Sequence, residues 1–74
     1  MATAAPTRSS VMDIGETAGA VWKVLAENES LSVARLIKAV GKPRDTVMQA
    51  LGWLARENKI VIEDEGRSRI VSLC

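Results

Sequence analysis

The 74-residue chain is sized for one small domain, close to the limit at which a single hydrophobic core suffices without staples. It has no histidine and a single cysteine, Cys74. Together these exclude a Ser-His-Asp triad, imidazole acid–base catalysis, a zinc site with histidine ligands, a cysteine metal cluster and an intramolecular disulfide. Ten basic and nine acidic residues leave a formal charge of +1, short of the strongly basic balance that announces nucleic-acid binding by itself.

Hydrophobic residues make up 47% of the chain, mostly Val, Leu, Ile and Ala, which is enough for a core. Trp22 and Trp53 are the only aromatics, so each is expected to anchor a core margin or a surface. Gly15, Gly19, Gly41, Gly52 and Gly66 match neither glycine-rich nucleotide-binding spacing. No enzyme activity, cofactor, metal or small-molecule substrate is expected. No apolar run approaches membrane-spanning length and no signal-peptide core is present, which points to a cytoplasmic protein that does not contact membranes.

In chain order, residues 1–11 are small and polar with one proline, and read as a disordered tail before a domain over residues 12–74. A first helix is expected from Asp13, whose Asp-x-x-Glu spacing to Glu16 is that of an N-cap and its reciprocal partner. Ile14, Ala18, Val21 and Leu25 form its apolar stripe, Glu16, Lys23 and Glu27 face away, and Asn28 stops it. Ser30-Leu31 is long enough for one bridge of strand. Ser32 caps a second helix that buries Val33, Leu36, Ile37 and Val40 and ends at Gly41. Lys42 is a turn residue, and Pro43 fits the first position of a third helix.

That third helix runs over residues 43–57, with Val47, Ala50, Leu51 and Leu54 inward and Asn58 as a left-handed stop. Ile60-Val61-Ile62 and Arg69–Leu73 are β-branched runs flanking a turn around Asp64-Glu65-Gly66, hence a hairpin. Pairing Ile60 with Val71 or with Leu73 keeps an apolar face inward in either case, so the register stays open. The expected fold is α+β, mainly α: a winged helix-turn-helix, in which a three-helix bundle carries a C-terminal two-stranded β-hairpin as the wing.

Two segments carry a family resemblance: Ile14-Gly15-Glu16-Thr17-Ala18-Gly19 with Val21-Trp22, and Ala50-Leu51-Gly52-Trp53-Leu54-Ala55-Arg56-Glu57-Asn58-Lys59-Ile60. With them the chain resembles a family of small stand-alone prokaryotic winged helix-turn-helix proteins of uncharacterised function, over about Asp13 to Leu73. The resemblance implies DNA binding by analogy with other winged helices, and a fold does not by itself establish function.

In a helix-turn-helix the second helix enters the major groove with its N-terminal end foremost. The candidate contacts to double-stranded DNA are therefore Lys42, Arg44 and Arg56 for phosphates, and Thr46 and Gln49 near base edges. Such a module would serve as a transcriptional regulator or its accessory. Three features oppose this. The outward stripe Asp45-Gln49-Gly52-Arg56 is thin for a reader. The wing leads with Glu63-Asp64-Glu65, which phosphate repels. Met48 and Trp53 flank the core stripe, where partial exposure is expected. The alternative is a protein-interaction module, engaging a protein partner or a second copy through Met48, Gly52 and Trp53. Gly52 costs about 1 kcal/mol relative to alanine inside a helix, which suggests close approach of a neighbouring group.

Overall fold

A computed structural model describes residues 10–74 of the chain, apart from the side chain of Ser10. The expected tail falls largely on residues 1–9, outside the described residues. Helix α1 spans Ser10–Ala26, so it begins three residues before Asp13 and takes in Ser10 and Val11. Asp13 is thus an acid in the first turn, where the helix dipole favours it, and not the N-cap. Asn28 does stop the helix: its side-chain amide donates to the Val24 carbonyl at 2.8 Å, satisfying one of the last acceptors.

Strand β1 is Ser30–Ser32, followed directly by α2 at Val33–Val40 and, after a short turn, α3 at Arg44–Arg56. Ser32 is the N-cap of α2, its hydroxyl accepting from the Arg35 N–H at 3.2 Å. Gly41 ends α2 in the left-handed region (φ 74°) and donates to the Ile37 carbonyl, the backbone choice that glycine makes cheap. Pro43 sits one place earlier than expected. It is the N-cap of α3, extended at φ −55° and ψ 144°, and its carbonyl accepts from Val47. The first helical residue is therefore Arg44.

The end of α3 is a Schellman motif. Asn58 adopts φ 61° and donates to the Ala55 carbonyl, while Lys59 donates to Leu54 at 2.9 Å. The next residue, Ile60, opens β2 (Ile60–Glu65), which turns into β3 (Ser68–Leu73). Ile60 lies opposite Leu73, Ile62 opposite Val71 and Asp64 opposite Arg69, which closes the open choice of register. The loop is only Gly66-Arg67, with glycine at positive φ in its first position as in a II′ hairpin turn. The three acids therefore lie in β2 and not in the turn.

The sheet has three strands in the order β1-β3-β2, one more than the expected hairpin. Ser30, Leu31 and Ser32 pair with Ser72, Val71 and Ile70, so β1 is a full three-residue partner and not a single bridge. Its addition ties the start of α2 to the wing.

The core gathers Ala18, Val21 and Leu25 of α1, Leu36 of α2, four residues of α3 and, from the sheet, Ile60 and Val71. The α3 contribution is Val47, Ala50, Leu51 and Leu54, as its periodicity indicates. In α2 only Leu36 is fully buried; Val33, Ile37 and Val40 pack half-exposed at the margin. Each fully buried leucine contributes roughly 2 kcal/mol, so these few side chains dominate the stability of so small a domain. Thr17 is the buried polar residue, and among the described residues no buried side-chain N or O lacks a hydrogen-bond partner.

Candidate nucleic-acid interface

Helix α3 is held by its buried stripe, which fixes the direction of every other side chain on it. Arg44 leaves its first turn on the flank facing the wing. There it meets Met48, the first turn of α2 (Ser32, Val33 and Ala34) and Arg67, Ser68 and Arg69 of the hairpin, around a cleft of about 440 Å³. Three arginines from α3 and the hairpin thus line one opening, beside the first turn of α2. A helix N-terminus carries a partial positive charge, so the cleft is cationic on its helical wall as well.

Of the three wing acids, one offsets part of this charge and two stand away from it. Directly opposed residues of an antiparallel pair share one face of the sheet. Asp64 lies on the face of Arg69 and pairs with it, Nε to Oδ1 at 3.3 Å, with both side chains largely exposed. Glu63 and Glu65 stand opposite Ile70 and Ser68, on the other face from Ile62 and Val71 and so away from the helices. Among the described residues, Arg44 and Arg67 have no ion-pair partner.

The remaining candidates are distributed unevenly. Lys42, Gln49 and Arg56 are exposed, Lys42 in the turn before α3 and the other two on its outward stripe with Asp45 and Gly52. Thr46 is half-buried. It precedes Trp53 by seven residues, two turns along the same flank, which is the flank turned towards α1. Among the other basic residues, Arg35 lines a shallow depression with Ser30, Leu31, Ser32 and Ile70, next to the cleft through the shared Ser32. Lys59 lies elsewhere, in the groove between α1 and the end of α3, with Glu57 at 3.5 Å.

Arg67 and Arg69 are not singled out by the sequence pattern. Their pairing with the helical cations depends on a two-residue loop and on one register, neither of which the periodicity selects. The Gly66-Arg67 dipeptide was the available signal, since glycine at the first loop position marks a tight hairpin.

Met48, Gly52 and Trp53 do not form one patch. Met48 is half-buried at the cleft, whereas Trp53 is 40% exposed and lines the α1–α3 groove with Trp22. Gly52 is exposed, and a Cβ added there would meet nothing within 4 Å. The close approach suggested for it does not occur among the described residues, where the outward side of α3 has no neighbour.

Residues 8–73 match the model of a family described as a winged helix-turn-helix domain (DUF2582). An uncharacterized protein, MJ1608 of Methanocaldococcus jannaschii, is 37% identical over 62 residues, which cover 81% of this chain and 89% of the relative. The solution NMR structure of BT2368 from Bacteroides thetaiotaomicron is 34% identical, with a TM-score of 0.78 over 88% of this chain and 79% of that one. A structure of HOP2 concerned with its DNA recognition and protein interaction domains is 28% identical, with a TM-score of 0.65 over 78% of this chain and 98% of that one. Reduced HlyU from Vibrio cholerae, 18% identical, shares the fold with a TM-score of 0.65 over 86% of this chain and 72% of that one. Among the described residues no helix is long and apolar enough to cross a membrane.

Proposed function

This chain belongs to the winged helix-turn-helix family DUF2582, and we propose that it binds double-stranded DNA, as a transcriptional regulator or an accessory of one. In this reading α3 enters the major groove at its N-terminal end, with Gln49 near base edges and Lys42 and Arg56 on flanking phosphates. The cleft between Arg44 and Arg67 receives a backbone phosphate against the first turn of α2. That convergence of Arg44, Arg67 and Arg69 at the N-terminus of α2 is the observation that carries the proposal. The orientation of Glu63 and Glu65 away from the helices supports it, and the similarity to the HOP2 structure, concerned with DNA recognition, is in keeping with it. Thr46, half-buried on the opposite flank, is the weakest of the candidate contacts.

The test is titration of isotope-labelled protein with duplex DNA at low and moderate salt. Binding through about four phosphates gives a log–log salt slope of roughly −3 to −4. Amide shifts are expected on Ser32–Ala34, Lys42–Gln49 and Gly66–Arg69. Their absence at low salt, where phosphate-driven binding is strongest, rules the proposal out.

A further inference from the structure

Helix α1 carries two apolar stripes, and the fold uses one. Ala18, Val21 and Leu25 go into the core. A second set, Val11, Gly15, Gly19, Trp22 and Ala26, falls within an arc of roughly 80° on the helical wheel. All five are exposed, Val11 at 57% and Trp22 at 47%. The charges of the outer surface, Glu16, Lys23 and Glu27, are confined to one edge of this arc.

Gly15 and Gly19 have nothing within 4 Å of an added Cβ. Glycine lowers helix stability relative to alanine, and among the described residues no neighbour requires either of them. They floor a groove of about 660 Å³ between α1 and the end of α3, with Trp22 and Trp53 at its sides. An exposed apolar face with small residues at its centre suits the close approach of another helix.

The stripe is complementary to itself when reversed. We propose that two copies of the chain associate through α1 in antiparallel orientation about a two-fold axis near residues 18 and 19, with Trp22 of each copy seated over Gly15 of the other. The same alignment sets Val11 against Ala26 of the second copy and brings Gly19 close to its own counterpart. Val11 and Trp22 then each meet a small residue. In a two-fold pair the same patch serves both sides, so an edge of one helix lies along the same edge of its mate. That places Glu16 near Lys23 of the second copy, twice, on the solvent margin. A foreign helix would have to reproduce this order of sizes and charges, whereas the chain's own α1 already contains it. The proposal does not rest on the nucleic-acid reading, because the stripe lies on α1 and away from the arginine cleft.

Sedimentation equilibrium of the full chain without DNA, from about 1 µM to about 1 mM, tests it. A dimer with Kd in the micromolar range is expected. Gly15→Leu should keep the fold and hold or raise Tm, since its Cβ position is open, yet weaken association at least tenfold by filling the seat of Trp22. Gly15→Ala provides the milder variant, with the same sign in both readouts. The orientation is read by oxidation in a Cys74→Ser background: Gly19→Cys should cross-link into a disulfide dimer and Val11→Cys should not. A chain that stays monomeric throughout, a Gly15→Leu protein that dimerises as tightly as the parent, or cross-linking through Val11→Cys in place of Gly19→Cys would each overturn the proposal.

Discussion

The two flanks of α3 show how one buried stripe can present two unlike surfaces. On the wing side lie Arg44 and Met48, facing Arg67 and Arg69 across a cationic cleft. On the α1 side lies Trp53, facing Trp22 and Gly15 across an apolar groove. Lys59 is the lysine of that groove, and it lies beside Glu57. Both surfaces are fixed by Val47, Ala50, Leu51 and Leu54, which set the rotation of the helix about its own axis. Position on the helix therefore says more about a charge than its sign does. Arg44 and Arg56 are both exposed α3 arginines, but the wing approaches Arg44 alone of the two.

The largest expected effect removes the comparison altogether. Leu51 is 2% exposed at the centre of the stripe, so Leu51→Ala should destabilise the domain by about 2–5 kcal/mol. In a domain of this size that is a large share of the total stability, roughly 5–15 kcal/mol. Urea denaturation should show a lower midpoint with an unchanged slope, and DNA binding and self-association should fail together above the new midpoint. Loss of one with retention of the other would mean that the flanks are organised separately.

A smaller and sharper effect comes from the same charge change made on each flank. Arg67→Glu places an acid at the mouth of the cleft and should weaken duplex binding at least ~10-fold at ~50 mM salt. Lys59→Glu alters net charge equally but sits in the α1–α3 groove, and should change binding by less than ~3-fold. Fluorescence anisotropy with one labelled duplex measures both. Equal losses would mean that net charge and not the cleft governs binding. Neither residue is buried, so Tm should stay within about 3 °C of the parent in both variants.

The difference between the flanks was only half legible in the sequence, for physical reasons. Local signals are legible: the Ser32 cap, the Gly41 stop, the Asn58 stop and the α3 stripe each depend on residues within one or two turns. Pairings between distant segments are not. Strand β1 is three residues long and exists only because Ser30–Ser32 meet Ile70–Ser72, a partner some forty residues away. The arginine cleft needs the register of the hairpin, and two registers satisfied the same apolar pattern. The second stripe of α1 is hidden in the sequence because Glu16, Lys23 and Glu27, which face away from the core, suggest a polar outer face. They mark one edge of it. Burial of Ala18 and Leu25 then leaves Gly15, Gly19 and Trp22 outside.

Gly52 offers the smallest effect and the finest distinction, because it lies between the two flanks on the outward stripe. Its Cβ position is open, and its place within α3 is one where alanine is the better residue. Gly52→Ala should therefore stabilise the domain by about 0.5–1 kcal/mol, raising Tm by roughly 4 °C. If α3 docks by its N-terminal end, Gly52 lies about two turns beyond Arg44 and stands clear of the bases. Duplex affinity should then change less than ~2-fold, because an added methyl group meets no partner. A raised Tm with a tenfold loss of affinity would show instead that a phosphate backbone passes against the middle of the helix, where a side chain is not tolerated. In that case Gln49 and Arg56, the neighbours of Gly52 on the stripe, would replace Arg44 and Lys42 as the leading contacts. The wing cleft would then have to engage a more distant phosphate. Stability and binding move independently in this variant, so one protein preparation reads both and their combination selects the docking geometry.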